Sequence, residues 1–389
     1  MLNKKGDREL AYVVAVDRID PIPGYDRIEL ATVGGWHCVV GKGMSPGDLA
    51  VYFEIDSLLP ADDERFAFCE KYKYKVKTQR MCKGAVISQG LLMPLDQFPE
   101  LSNCSVGDFV TERLKVTYYE PEDNVRKAAP KDKYKMMAQR HGKLFSKQPF
   151  RWLMKRDWGK KLLFVFFGKK KDRRGSWPEW VVKTDELRVQ NAPWILKSDE
   201  PWIATEKVDG SSSTFTLKRG RWPKKNQFIV CSRNVAFDES DTAPCYYDTN
   251  VYTEMAKKYN MMAVLEDLLL AYPEEDYITI QGEVYGEGIQ KRTYNKKEHD
   301  LAVFNLIFSS TGRVNSVEMT DIMRQYGVPC VPILGVDIHL PDDVDKVLEM
   351  ASGESMIDGG MREGIVFRSM DGKKSFKAVS NEYLLKYHG

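Results

Sequence analysis

The residues of this 389-residue chain that could do covalent chemistry start with one lysine. Lys207 stands in Thr205-Glu206-Lys207-Val208-Asp209-Gly210-Ser211, between two acids, with a glycine and three serines after it. The flanks, WIAT and TFTL, are apolar, aromatic or β-branched and predict two short strands. A lysine at a strand end in such a core-like setting must be paired or reactive. To attack phosphorus it must be a neutral amine. From a reference pKa near 10.4, deprotonation at pH 7 costs roughly 4.6 kcal/mol. Burial and nearby cations lower that cost. Glu206 and Asp209 raise it unless a divalent metal or another lysine offsets them. A structural ion pair is the competing reading of the same string.

Further reactive types follow in order. Ser232-Arg233-Asn234 closes a β run, where an arginine suits a phosphate or a ribose hydroxyl. QGEVYG closes another run with Glu283. Phe304, inside LAVFNLIF, could stack on a base. Glu363 precedes GIVFRSM, and Lys377 sits on SFKAVS, a candidate last strand. Taken singly, each is more often structural than functional. Their order on one chain is the stronger signal.

That order resembles the motifs of covalent nucleotidyltransferases, the polynucleotide ligases and mRNA capping enzymes. Lys207-Val208-Asp209-Gly210 resembles their motif I, KxDG. Ser232-Arg233-Asn234 resembles motif Ia, and Gly282-Glu283-Val284-Tyr285-Gly286 resembles motif III. Val303-Phe304-Asn305 is similar to motif IIIa, Arg362-Glu363-Gly364-Ile365-Val366 to motif IV, and Ser375-Phe376-Lys377-Ala378-Val379 to motif V. Within that superfamily the likeness is to RNA ligases with an amino-terminal OB module, the type 5 RNA ligases. GGWHCVVGKGMSPGDLAVYFEIDSLLP, KTQRMCKGAVISQGL and KTDELRVQN also resemble that family. One departure is in motif V, which usually reads KxK. Here Ser375 and Val379 stand two residues from Lys377, and Lys373 or Lys374 could substitute.

The resemblance implies an ATP-dependent RNA ligase that seals 3′-hydroxyl and 5′-phosphate RNA ends through a lysyl-AMP intermediate, in RNA repair. ATP and a divalent metal, magnesium or manganese, are the implied cofactors. Lys207 is the implied nucleophile, with Asp209 and Lys377 as its catalytic partners. Glu206, Arg233, Glu283, Phe304 and Glu363 join Lys207 and Lys377 in the implied nucleotide site. Phe304 would stack on adenine, Glu206 would also contact it, and Lys377 would sit on the α-phosphate. Asp209, Glu283 and Glu363 are the implied metal ligands. Lys183 and Arg188 could reach the triphosphate or the RNA. Two alternatives stay open: an inactive ligase fold that only binds nucleic acid, and a DNA ligase or GTP-using capping type of transferase.

The elements that must position these residues can be read from composition and pattern. A hydrophobic share of 43% fills real cores. No apolar run approaches the roughly 18 residues of a spanning helix, and MLNKKGDREL has no apolar h-region. Seven dispersed cysteines without a CxxC pair fit a reducing compartment. Zinc is not expected, since neither the cysteines nor the histidines cluster. A cytoplasmic location, no membrane contact and no obligate protein partner are therefore expected.

The net charge of +2 hides an asymmetry. Arg126 to Arg174 holds 18 basic and three acidic residues, a net +15, which leaves −13 for the rest. Interleaved with Phe150, Trp152, Trp158 and Phe164, that block fits an RNA partner better than a plain linker. A loop near 122–140, one or two helices and a loop at 168–178 are expected in it.

The expected fold class is α+β. An OB-like β-barrel, which would bind RNA, spans 1–121, from short turn-bounded strands. A basic aromatic linker or insertion spans 122–178. A nucleotidyltransferase domain of antiparallel sheets and helices spans 179–389. Runs 11–20, 27–41, 49–55, 90–95 and 107–119 read as strands of the barrel. A helix is expected over Val251–Ala271, with others at Glu318–Tyr326 and Asp342–Met350. The barrel's basic, tyrosine-containing stretch includes Lys77-Thr78-Gln79-Arg80. Its positions 78 and Arg80, with Lys160 and Lys161 of the basic block, are the expected RNA contacts.

Overall fold

The computed structural model describes residues 9–118, 147–167, 174–221, 223, 225–238, 241, 245, 247 and 249–388. The chain begins with short antiparallel strands: β1 (Ala11–Ala15), β2 (Arg18–Pro21), β3 (Ile28–Val33), β4 (Trp36–Gly41) and β5 (Leu49–Phe53). β6 (Ser57–Leu58), β7 (Thr78–Met81), β8 (Val86–Gln89), β9 (Leu91–Pro94) and β10 (Thr117–Tyr118) complete this part. β5 lies between β1 and β9, with Val13 facing Val51 and Val51 facing Met93. β3 pairs with both β2 and β4, and the turn at Gly34-Gly35 closes the second pair. Phe53, Phe66 and Phe98 fill the core with Val13, Val51 and Met93.

Two expectations change in this part. Residues 107–118 form mostly turns; Phe109 makes a single antiparallel bridge to Tyr12 of β1, and Thr117–Tyr118 pairs with Ser57–Leu58. The run 11–20 is broken at Val16-Asp17 into two strands that pair with different neighbours.

Next come two helices, α1 (Gln148–Met154) and α2 (Asp157–Phe167). They pack closely where Gly159 meets Leu153: a Cβ on Gly159 would lie 2.2 Å from the Leu153 carbonyl oxygen. The expected loops at 122–140 and 168–173 lie outside the described residues. The loop expected to run on to 178 instead contains β11 (Arg174–Ser176). β11 extends a sheet edge by pairing with 235–237, backbone partners that no local pattern reveals.

The remainder is built on two sheets. β12 (Leu187–Arg188) and β13 (Trp202–Lys207) belong to the first. β14 (Ser211–Lys218), β15 (Gln227–Cys231) and β16 (Val235–Phe237) belong to the second. Then follow α3 (Val251–Lys258), α4 (Met261–Ala271), β17 (Tyr277–Tyr285), β18 (Asp300–Phe308) and β19 (Gly312–Arg313). α5 (Ser316–Gln325), β20 (Ile333–Ile338), α6 (Val344–Ala351), β21 (Gly364–Ser369) and β22 (Ser375–Val379) end the series. The sheet orders are β11-β16-β15-β14-β17-β18-β19 and β12-β22-β21-β13-β20. Among the described residues the paired strands of these sheets are antiparallel except β12 with β22, and Val303 of β18 makes a single parallel bridge to Cys330.

Alternation assigns the faces. Phe215, Leu217, Ile278 and Ile280 pack under Met255, Leu265 and Leu268 of α3 and α4. Trp202, Ala204, Phe367 and Phe376 pack under Val347 and Leu348 of α6. The single helix expected over 251–271 is two. Asn260 adopts a left-handed φ of 47°, which breaks the helical path between α3 and α4. α5 and α6 start on Asn315 and Asp343, whose side chains accept from the first free backbone N–H groups.

A buried amide is among the contacts that join the barrel to the two-sheet part, with the Gln89 to Asn381 hydrogen bond and the His37–Asp345 pair. Asn191 Oδ1 accepts from Tyr12 Oη at 2.9 Å and Trp36 Nε1 at 2.7 Å, while its Nδ2 donates to Glu54 at 2.8 Å. Among the described residues no helix is long and apolar enough to cross a membrane. All seven cysteines are free thiols.

Candidate active site

Lys207 is the last residue of β13, and Ser211 is the first of β14. Val208-Asp209-Gly210 is thus the crossing from one sheet to the other. The close approach there explains the glycine: a Cβ on Gly210 would lie 2.2 Å from the Val284 carbonyl oxygen. The two sheets enclose a cavity of about 350 Å³ at this crossing.

Six of the expected nucleotide-site residues line that cavity: Glu206, Lys207, Arg233, Glu283, Phe304 and Lys377. Glu363 joins through its ion pair with Lys207, at 2.8 Å. The sheets deliver each from a strand or strand end. β13 and β21 pair with Lys207 opposite Gly364, so Glu363 falls beside the amine. Lys377 lies opposite Val366. Glu283 lies opposite Ser212. Phe304 owes its position to a bulge. Gln281 pairs with Asn305 and Gly282 with Val303, leaving Phe304 as the extra residue, and a bulge re-aims its side chain.

The electrostatics leave Lys207 charged. Burial favours its neutral form, but Glu363, Glu283 and Asp209 together hold its pKa above the usual lysine value. Burial pushes the Glu283 carboxyl up to about 8, against the pull of the Lys207 ammonium. Burial also raises Glu363, again opposed by Lys207. Lys377 moves the other way: burial lowers it despite the ion pair with Asp185 at 2.7 Å.

Three site expectations need correction. Asp209 does not line the cavity; its carboxylate accepts from Tyr383 Oη at 2.8 Å and lies 3.7 Å from His388 Nε2. Accordingly, Asp209, Glu283 and Glu363 do not form one ready-made ligand set. No three His, Cys, Asp or Glu side chains converge in that way among the described residues. Glu206 is buried with both carboxylate oxygens committed, to Ser355 Oγ and the Met356 N–H, so its carboxylate anchors that loop instead of facing a base. Position 78 is a buried threonine on β7 and offers no cation to a phosphate.

Arg80 is exposed on β7. Lys161 is exposed on α2, and Lys160 pairs with Asp157 at 3.0 Å. Arg188 lies 5.9 Å from the Trp36 ring centroid and Lys183 5.7 Å from that of Trp177, and neither lines the cavity.

Sequence reasoning missed Asp185, Arg368 and Tyr383. Asp185 bridges Lys377 and Arg233, the latter at 3.1 Å. Arg368 lines the cavity and reaches Glu186 at 3.3 Å. Only KTDELRVQN carried a signal for the first. Nothing local marks the other two.

Glu283 and Glu363 suit a hard cation. Both are oxygen donors in a buried setting that disfavours their charge, and the Glu283 carboxylate makes no side-chain hydrogen bond among the described residues. The arrangement as a whole pairs an amine with cations for phosphate, carboxylates for a metal and an aromatic for a base.

Comparison with known proteins agrees with this chemistry. A family model described as RNA ligase matches residues 200–387, and one for an OB-fold domain matches residues 10–95. A Naegleria gruberi RNA ligase variant solved with ATP and Mn is 30% identical, covering 98% of this chain and 100% of that one at a TM-score of 0.76. The same organism's RNA ligase with PPi is also 30% identical, with 97% and 98% covered and a TM-score of 0.74. No curated protein sequence matches the chain.

Proposed function

The chain belongs to the RNA ligase family, and on that premise we propose that it seals RNA ends with ATP through an adenylate on Lys207. The observation that carries this reading is the placement of the Lys207 amine in a cavity that also presents Lys377, Arg233 and Phe304.

The Lys207 ammonium first loses a proton to solvent, and the neutral Nζ then forms a bond to the α-phosphorus of ATP as the bond to the β-phosphate oxygen breaks. Pyrophosphate leaves, and the phosphoramidate nitrogen releases a second proton to solvent. Lys377 and Arg233 hold phosphate oxygens and stabilise their charge. Phe304 stacks on adenine. The adenylate then passes to an RNA 5′-phosphate. Attack by a 3′-hydroxyl forms the phosphodiester and releases AMP.

A divalent cation, magnesium or manganese, would be held by Glu283 and Glu363 and would supply charge neutralisation. The solved relatives with ATP and Mn support that choice. Asp209 acts on the Lys207 loop from its bond to Tyr383. Glu206 fixes the 355–356 loop at the cavity wall.

We assign residues 1–121 to an RNA-binding barrel, 122–178 to a basic aromatic insertion and 179–389 to the transferase. Trp152 and Trp158 support the second assignment. They are half exposed and 6.1 Å apart, with Arg156 3.6 Å over Trp152. Bases can stack on such rings while Arg80, Lys160 and Lys161 track phosphates.

The test is sealing of a labelled strand. RNA with a 3′-hydroxyl and a 5′-phosphate should lengthen with ATP and magnesium or manganese. Equal sealing with DNA 3′-hydroxyl ends, or a preference for GTP, would contradict the proposal. Binding of a nick without any adenylation would favour the inactive alternative.

A further inference from the structure

Asp185 occupies the place where an anion should go. One carboxylate oxygen accepts from Lys377 Nζ at 2.7 Å, and the other accepts from Arg233 Nη2 at 3.1 Å. All three residues line the cavity that holds Lys207. A carboxylate with its two oxygens on two cations reproduces how a phosphate would be gripped.

The neighbours of Asp185 are pinned. Thr184 Oγ1 donates to Gln281 Oε1 at 2.6 Å, and Gln281 Nε2 donates to the Val182 carbonyl at 3.2 Å. On the other side Glu186 holds Arg368 and Arg313, at 3.3 and 3.4 Å. The backbone is therefore fixed on both sides of Asp185. Its side chain is 28% exposed, so a change of rotamer would take its carboxylate off the two cations.

We infer that Asp185 is an internal stand-in for phosphate: it occupies Lys377 and Arg233 when no nucleotide is bound and gives them up to the polyphosphate of the substrate. This rests on the function proposed above. A closed latch keeps the Lys377 ammonium, 19% exposed, from a buried, uncompensated state in the empty site. It also competes with pyrophosphate after adenylation, and so helps that product leave. Asp185 is a positioning residue in this account, not a group that touches the reacting phosphorus.

The alternative role, in which Asp185 only holds Lys377 and Arg233 in place, predicts the opposite sign. Losing the carboxylate would then weaken anion binding. Binding of inorganic pyrophosphate to the full chain, measured by calorimetry at fixed ionic strength, separates the two.

Asp185→Asn should bind at least about tenfold more tightly than wild type, the factor for one charged hydrogen bond no longer competed away. Asp185→Glu should stay near wild type, and matching melting temperatures should show that both variants fold. Unchanged or weaker binding by Asp185→Asn, with wild type binding normally, overturns the latch alone. Absence of pyrophosphate binding by wild type overturns both the latch and the site assignment beneath it.

Discussion

The Lys207 ammonium is paired with the Glu363 carboxylate at 2.8 Å, across strands in which Lys207 stands opposite Gly364. The nucleophile is thus held in place by the same group that keeps it protonated. If orientation and charge balance dominate, Glu363→Gln should slow adenylation by about 10²-fold, as for other preorganised electrostatic groups. If the pair served only to hold the proton, the variant would be faster at neutral pH. Single-turnover adenylation with saturating ATP distinguishes the two.

The glycine after Asp209 is required by space, and its φ is not in the left-handed region. Its missing Cβ leaves room for the Val284 carbonyl. Gly210→Ala should push the crossing away from the end of β17 and cost about 1–3 kcal/mol. The loss in adenylation should exceed the loss in stability, because Lys207 is three residues away. Paired measurements of melting and adenylation check this.

Asn191 is a buried polar contact between the barrel and the sheets. Asn191→Leu would remove one buried partner each from Glu54, Trp36 Nε1 and Tyr12 Oη, leaving the last with its 3.4 Å bond to Glu54. A loss of about 3 kcal/mol is expected from the stranded buried groups. Urea unfolding of the full chain measures it.

Arg292 and Asp358 form a buried pair, with Nη1 donating at 2.7 Å, that braces the 355–358 loop holding Glu206. The Arg292 hydrogen bonds hold the Asp358 carboxyl below the usual range, and burial opposes them only partly. A depressed carboxyl stabilises the fold above its unfolded value of about 3.9 and loses that contribution as pH falls through its folded value. Asp358→Asn should therefore cost about 3–5 kcal/mol at neutral pH. The gap to wild type should be flat above about pH 5 and close as the pH drops below 4. A gap that widens in acid would contradict the assignment.

Much of the site could be read from the chain because its residues sit at strand ends that local pattern marks. WIATEK and SSSTFTLK announce β13 and β14 with Lys207 between them, and Glu283, Arg233 and Lys377 also lie on or beside readable strands. What local pattern cannot carry is partner choice. Asp209 meets Tyr383, 174 positions away, and Asp185 meets Lys377 at a separation of 192. Three carboxylates near one motif set suggested one metal cluster, and the turn to Tyr383 removes one of them. The break at Asn260 was equally hidden, since α3 and α4 keep apolar spacing on either side.

The central claim is the nucleophilic role of Lys207. ATP labelled at the α-phosphate, incubated with the protein and a divalent metal and then denatured, tests it directly. Label should stay covalently on wild type, be lost on adding pyrophosphate, and be absent from Lys207→Ala or when the metal is chelated. Equal labelling of folded Lys207→Ala, or none on folded wild type, would contradict the account.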